Sequence, residues 1–170
     1  MKQAWRRHCA TGALSAAGFL IFLVPFVGTP VSASSPRAIP PAASSYLEGC
    51  GGCHGVEGRS LAERVPDLAG RAGFFLCTRS GREYLIQLPN VAFAHMDSNR
   101  LAAVMNFVVF DLGRGSAPAG AKPYTPAEVA ALRTRPIDTT ALVALRTGIV
   151  TQIVARCPKA ANLNAYGGGL

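Results

Sequence analysis

The chain has 170 residues and a formal net charge of +8, with 17 Lys and Arg residues against 9 Asp and Glu residues. This length suffices for one domain with its own hydrophobic core but hardly for two. The basic residues are scattered and form no block with interleaved aromatic side chains, so the composition argues against a nucleic-acid-binding protein.

The first 33 residues have the pattern of an export signal. Lys2, Arg6 and Arg7 precede an apolar run that extends from about residue 13 to residue 27, and small side chains at 31–33 provide a cleavage site. We predict that residues 1–33 are a signal peptide, that the mature protein is periplasmic, and that it has no stable membrane insertion. The alternative is an uncleaved anchor, because the apolar run approaches the length that spans a bilayer.

A Pro-bearing linker, residues 34–42, and a predicted short helix lead into the sequence Cys50-Gly51-Gly52-Cys53-His54. The pattern Cys-x-x-Cys-His is the attachment signature of a c-type haem. Two thiols at this spacing can add across the two vinyl groups of one haem, and the adjacent imidazole can bind its iron. We therefore predict one covalently bound haem c, attached through Cys50 and Cys53, with His54 as an iron ligand.

Two other kinds of site could use the same cysteines. A thioredoxin-like redox pair would need a surrounding βαβ pattern, which we do not find. A structural zinc site would need a second ligand pair at regular spacing, whereas Cys77 and Cys157 are isolated and far apart. In an oxidising compartment these two remaining cysteines predict a disulfide. The alternative is two separate buried thiols.

The residues after the motif are expected to complete a haem domain that covers residues 43–115. Residues 74–88 form either a hairpin or a helix–loop unit around a turn at Ser80-Gly81, and periodicity does not distinguish the two. Ser98 is the predicted N-cap of a largely buried helix. Its apolar stripe consists of Leu101, Val104, Met105, Val108 and Leu112.

Residues 116–170 are predicted to form a helical extension that packs on the haem domain. Thr125-Pro126-Ala127-Glu128 is a capping box with proline at the first helical position. A second helix from about Thr139 has apolar residues on one face: Leu142, Leu145, Ile149 and Ile153. The fold class predicted from these elements is mainly α, with two extra C-terminal helices.

Residues 43–112 resemble a class I c-type cytochrome. A helix leads into Cys-x-x-Cys-His, Gly55 follows, and Pro66-x-Leu68-x-Gly70 precedes a closing amphipathic helix. The resemblance implies a cytochrome c-like helical fold around the haem. It also implies that the carbonyl group of Pro66 accepts a hydrogen bond from His54 and that Leu68 packs on the haem face. The first and last helices of the family cross at small and aromatic residues, a contact that Tyr46 with Phe107 or Phe110 could supply.

The resemblance further implies a distal methionine on the loop before the last helix, where the family commonly has Met-Pro. Met96 lies on that loop but is followed by Asp97. We take Met96 as the predicted second iron ligand, with His95, Met105 and an open or water-bound position as the alternatives. Adjacent side chains of an extended segment point to opposite sides, so His95 and Met96 should not both face the iron.

The function that the resemblance implies is single-electron transfer in the periplasm, by a carrier and not an enzyme. Residues 81–106 also resemble, with low specificity, small cytochromes that accompany periplasmic dehydrogenases, so the expected partner is a redox protein such as a dehydrogenase. One alternative is a haem-based gas sensor or small haem enzyme with an open distal position. Another is a cytochrome subunit of a larger redox complex.

Overall fold

The structure, a computed structural model, describes residues 38–60 and 65–166. The predicted signal peptide, residues 1–33, lies outside these residues. Within the described ranges the chain is helical and has no β-strand, which confirms the predicted mainly α fold. The same ranges contain no helix that is both long enough and apolar enough to cross a membrane.

The described residues form seven α-helices. In chain order the helices are α1 (Pro41–Gly49), α2 (Gly51–His54), α3 (Arg79–Gln87), α4 (Pro89–Ala92), α5 (Ser98–Asn106), α6 (Pro126–Leu132) and α7 (Leu142–Arg156). The 3₁₀ segments are Ala72–Cys77, Thr139–Ala141 and Pro158–Tyr166, and a π-helical turn, Phe107–Leu112, continues α5. Helix α1 begins two residues before the predicted start because proline, with its fixed φ angle, is favoured at the first helical position.

Residues 72–87 form a helix–loop unit and not a hairpin. The 3₁₀ segment Ala72–Cys77 ends at Thr78, whose Oγ1 accepts a hydrogen bond from the Gly81 N–H at 3.0 Å and so caps α3. The predicted turn at Ser80-Gly81 is therefore wrong, because both residues lie in the first turn of α3. A Cβ atom on Gly81 would lie 2.4 Å from the carbonyl oxygen of Phe75, so the close approach of the two segments requires glycine.

Helix α1 packs against the long helix formed by α5 and its π-helical turn. The rings of Tyr46 and Phe107 lie 5.6 Å apart between centroids and are tilted by 55°, one of the two contacts that the family resemblance implies. The hydroxyl of Tyr46 donates a hydrogen bond to the carbonyl oxygen of Gly55 at 2.7 Å. Helix α1 is therefore tied both to the closing helix and to the residue that follows the Cys-x-x-Cys-His motif.

Helix α5 begins one residue earlier than the predicted capping pattern indicates. Its N-cap is Asp97, which accepts a hydrogen bond from the Arg100 N–H at 2.8 Å, and not Ser98. A carboxylate at this position satisfies a free backbone donor and also complements the positive end of the helix dipole. The predicted apolar stripe is buried along its length: Leu101, Val104, Met105, Val108 and Leu112.

Residues 116–170, the predicted extension, pack on residues 43–115 through both of their α-helices. Helix α6 packs against α5 and α3, and its N-cap Thr125 accepts a hydrogen bond from the Glu128 N–H at 3.1 Å, as the capping box predicts. Glu128 also pairs with Arg82 of α3, with an Nε–Oε1 distance of 2.5 Å and an Nη2–Oε2 distance of 2.7 Å. This bidentate ion pair joins α6 to α3.

Helix α7 packs against α3 and against the 3₁₀ segment Ala72–Cys77. Its end is joined to that segment by a disulfide between Cys77 and Cys157, with Cα atoms 6.2 Å apart. The predicted apolar face is wrong at Leu145, which is 40% exposed. The inward-facing stripe instead runs through Leu142, Arg146, Ile149 and Ile153, because α7 is rotated so that position 146 and not 145 points inward.

Candidate haem-binding site

A cavity of about 370 Å³ is lined by residues from α2, α3, α5 and α7. This volume falls in the range of about 300–1,000 Å³ that is usual for ligand and cofactor sites. The walls are mainly apolar, with contributions from Val65, Leu68, Phe75, Leu85, Leu88, Val91, Val108 and Leu142. Cys50, Cys53 and His54 of the motif all line the same cavity.

The motif residues are presented to the cavity by one tight helical turn. The carbonyl oxygen of Cys50 accepts hydrogen bonds from the N–H groups of Cys53 at 3.2 Å and His54 at 3.0 Å. Both cysteines are free thiols, Cys50 half-buried and Cys53 exposed. Burial, together with the neighbouring Cys53, raises the pKa of the Cys50 thiol. The turn therefore offers two thiols and one imidazole to a single ligand.

The imidazole of His54 is oriented by the backbone of Pro66. Its Nδ1 lies 3.0 Å from the carbonyl oxygen of Pro66, which can only accept a hydrogen bond. Nδ1 therefore carries the proton, and Nε2 keeps a lone pair that can bind a metal. This is the arrangement that raises the basicity of a metal-binding histidine and holds its ring in one direction.

The segment that carries Pro66 and Leu68 is held in place by the turn after the motif. The carbonyl oxygen of Gly58 accepts hydrogen bonds from the N–H groups of Leu68 at 2.8 Å and Ala69 at 3.0 Å. Gly55 opens this turn with a φ of +74°, and a Cβ atom there would lie 2.2 Å from the carbonyl oxygen of Arg59. Glycine is therefore required directly after His54.

The two candidate methionine ligands lie in different places. Met105 is 5% exposed and lines the cavity that contains His54. Met96 and His95 do not line it but line a neighbouring cavity of about 490 Å³. The Cε atom of Met96 packs against Gly49, where a Cβ atom would lie 3.0 Å away. The structure thus brings together Cys50, Cys53, His54, Pro66 and Leu68 but leaves His95 and Met96 outside this group.

The extension contributes three cavity residues that the sequence analysis missed, Thr139, Leu142 and Arg146. Arg146 donates a hydrogen bond from Nε to the hydroxyl oxygen of Tyr84 at 2.9 Å, and Tyr84 also lines the cavity. Helical spacing could have placed Arg146 on the inward face of this helix, because it lies four residues after Leu142 and three before Ile149. Because arginine is not apolar, it is absent from the stripe of apolar residues that the sequence predicts for this helix.

The cavity suits a covalently bound haem. Apolar walls accommodate the macrocycle, paired thiols at its mouth match the two vinyl groups, and an imidazole with a fixed tautomer can bind the iron. Cys53 is exposed and Val56 beside the motif is 70% exposed, so this end of the cavity reaches the protein surface.

The chain is similar to two curated proteins called cytochrome c-552, both from Thermus thermophilus. Each is 29% identical over 115 residues, and each alignment covers 57% of this chain. The alignment covers 88% of one relative and 78% of the other. No family model matches the chain, and no solved structure matches it. The similarity to the two cytochromes supports a c-type cytochrome with a haem-based role in electron transfer.

Proposed function

We propose that this protein is a periplasmic carrier of single electrons that binds one covalent haem c. The observation that supports the proposal best is the placement of both motif thiols and the Pro66-oriented imidazole of His54 around one apolar cavity. When bound, the haem supplies an iron that alternates between the ferric and ferrous states. The side chains of this chain attach it, orient it and exclude water from it.

Cys50 and Cys53 are the proposed attachment residues. Each thiol would add across one vinyl group, with the sulfur bonded to one carbon and the hydrogen to the other. Because Cys53 is exposed, the edge of the macrocycle attached there would lie at the protein surface. Electrons can pass through such an edge without a substrate entering the protein, which suits a carrier.

Met96 is the proposed second iron ligand, and its side chain would have to turn from the neighbouring cavity into the cavity of His54 to hold the iron. The two cavities adjoin through Pro89 and Asn90, which line both. Met96 lies on a loop and is half-buried, and an unbranched thioether side chain changes rotamer easily. Met105, on α5, already lines the cavity of His54, but its side chain packs in the hydrophobic core of the protein. A methionine ligand would raise the reduction potential.

The proposed partner is a redox protein with an acidic docking surface, such as a periplasmic dehydrogenase. The net charge of the chain is positive, so complementary charge would accelerate the encounter. The rate of electron transfer between the two proteins should then fall as ionic strength rises. A rate that is independent of ionic strength would contradict this choice of partner surface and leave the haem assignment unaffected.

Covalent attachment is tested with the full chain produced in a bacterium that matures c-type cytochromes. Acid–acetone extraction should leave the haem with the wild-type polypeptide. Cys53→Ala should retain at most one thioether bond, which the pyridine haemochrome spectrum detects. A Cys77→Ser, Cys157→Ser double variant is the matched control, since it removes two cysteines outside the motif and should retain both thioethers. A colourless wild-type polypeptide after extraction would refute the proposal.

A second function, binding of a gas or peroxide at an open iron position, is favoured by one observation. His95 and Met96 line the neighbouring cavity and not the one that contains His54. Carbon monoxide distinguishes the two functions. An electron carrier with a bound thioether should show little change when carbon monoxide is added to the ferrous protein, whereas an open site should bind it rapidly.

A further inference from the structure

Arg146 reaches the haem cavity from the C-terminal extension. Its Nε donates a hydrogen bond to the hydroxyl oxygen of Tyr84 at 2.9 Å. Tyr84 is 3% exposed and stacks on Phe75, with ring centroids 5.6 Å apart and planes inclined by 12°. All three side chains line the cavity. The guanidinium group is therefore positioned by buried neighbours and not by solvent.

The charge of Arg146 has no counterpart in the protein around it. Among the described residues that line the cavity, it is the one Arg or Lys, and there is no Asp or Glu. In the described ranges Arg79, Arg82 and Arg100 each pair with a carboxylate, whereas Arg146 takes part in none of the ion pairs. A guanidinium group against apolar walls loses hydration, and a bound anion is what compensates this cost.

We propose that Arg146 binds a propionate carboxylate of the haem, so that the C-terminal extension completes the haem site. This inference rests on the proposed function, which attaches a haem c to Cys50 and Cys53. The propionates of such a haem lie on the edge of the macrocycle away from the thioether bonds. Within residues 43–115, helix α7 packs on α3 and on the segment Ala72–Cys77, so Arg146 enters the cavity beside these elements and not beside the helix that carries the cysteines.

The chemistry of the two groups is complementary. A guanidinium presents a planar fork of N–H donors that matches a carboxylate in a bidentate arrangement. Nε of Arg146 is used by Tyr84, and the Nη atoms remain to bind the propionate. A cation at this position stabilises the ferrous state relative to the ferric state, because the ferrous haem carries one less positive charge. Arg146 therefore raises the reduction potential of the bound haem.

The test uses the holoprotein and two variants of α7 that lose the same charge. Arg146→Gln removes the cavity cation, and Arg156→Gln removes an exposed cation at the end of the same helix that does not line the cavity. Resonance Raman spectroscopy records the bending modes of the propionates, and redox titration records the midpoint potential. We expect Arg146→Gln to shift the propionate modes and lower the potential, with Arg156→Gln unchanged in both.

The outcomes separate this inference from the proposed function. Covalent haem with identical propionate modes and potentials in Arg146→Gln and Arg156→Gln overturns the inference alone. A wild-type protein without covalent haem overturns both. A third outcome also overturns the inference. The propionate modes stay unchanged in Arg146→Gln, and added formate changes the ferric spectrum of the wild type but not that of Arg146→Gln. Arg146 then binds an external anion and not a propionate.

Arg146→Lys provides a second variant that keeps the positive charge if Arg146→Gln does not accumulate. Lysine has no planar fork and no Nε donor for Tyr84. The propionate modes should shift while the potential stays near that of the wild type. Wild-type propionate modes in Arg146→Lys would show that no guanidinium–carboxylate contact exists.

Discussion

Arg133 holds the backbone of Met96 in place, with its Nη1 donating a hydrogen bond to the Met96 carbonyl oxygen at 2.8 Å. The same guanidinium donates to the carbonyl oxygens of Ala92 at 2.9 Å and Ala94 at 2.8 Å. Arg133 follows α6 in the C-terminal extension, so one residue of the extension fixes the loop before α5 by three contacts. This loop carries both His95 and Met96 and ends at the N-cap of α5.

Replacing Arg133 with Ala should loosen this loop and destabilise the protein. Three carbonyl oxygens lose a charged donor, and water can compensate only part of the loss. We expect the free energy of unfolding to fall by about 1–3 kcal/mol, since hydrogen bonds to charged groups are worth more than neutral ones. Urea denaturation measures the change. Arg135→Ala is the control because Arg135 is exposed and its side chain makes none of these hydrogen bonds; equal destabilisation by both variants would contradict the assigned role.

The ligand prediction separates the two methionines by their spectra. We expect Met96→Leu to abolish the near-infrared charge-transfer band that a thioether–iron bond gives in the ferric protein, and to open the iron to carbon monoxide. Met105→Leu should keep the band, because Met105 is not the proposed ligand. The protein should still fold, because leucine conserves most of the side-chain volume in the core and the substitution costs less than about 1.5 kcal/mol of stability. Loss of the band in Met105→Leu alone would identify Met105 as the ligand. A changed spectrum in His95→Ala alone would identify His95. A wild-type protein without the band, and with a spectrum that none of these variants changes, would favour an open position.

The disulfide between Cys77 and Cys157 should stabilise the attachment of the extension. The two cysteines are 80 residues apart in sequence. By the chain-entropy model, a disulfide that closes a loop of this size stabilises the folded protein by up to ~4 kcal/mol. The Cys77→Ser, Cys157→Ser variant should unfold at lower urea concentration and should not respond to reductant. Thiol alkylation under denaturing, non-reducing conditions should label neither cysteine of the wild type; labelling of both would show two separate thiols.

The ion pair between Arg82 and Glu128 should make the stability sensitive to acid. The hydrogen bonds from Arg82, aided by its charge and by the Thr125 backbone, hold the pKa of the Glu128 carboxyl below its ordinary value despite partial burial. A carboxyl with a lowered folded-state pKa stabilises the fold above its unfolded pKa, and this stabilisation is lost as the pH falls through the folded pKa. Glu128→Gln should therefore destabilise the protein at neutral pH.

The same variant should lose less stability than the wild type on acidification from neutral pH to about pH 3, because it has no carboxyl to protonate at this position. Thermal unfolding at the two pH values measures the difference. Glu83→Gln is the control, since it removes a carboxylate whose partner Arg79 is 91% exposed on the same helix, α3. An identical loss in wild type and Glu128→Gln would contradict the lowered pKa of Glu128.

The sequence allowed the thiols and the imidazole to be predicted because their relationship is local. Cys50, Cys53 and His54 lie within one helical turn, so their spacing already determines which groups a single ligand can meet. The burial of the apolar stripe of α5 could be predicted for a similar reason, because helical periodicity places residues three and four positions apart on one face. The turn predicted at Ser80-Gly81 was wrong because Thr78, with a side chain that caps α3, starts that helix earlier.

The tertiary structure decided which distant residues join these groups. Pro66 meets His54 because the turn after the motif folds back on itself. Arg146 enters the cavity because α7 packs on α3 and is joined by its disulfide to the segment Ala72–Cys77. The backbone at Met96 is held by Arg133 of the extension, and its side chain lines the neighbouring cavity. The side-chain positions at these contacts depend on the rotation and docking of whole helices, which are set by many long-range contacts and not by the spacing of neighbouring residues.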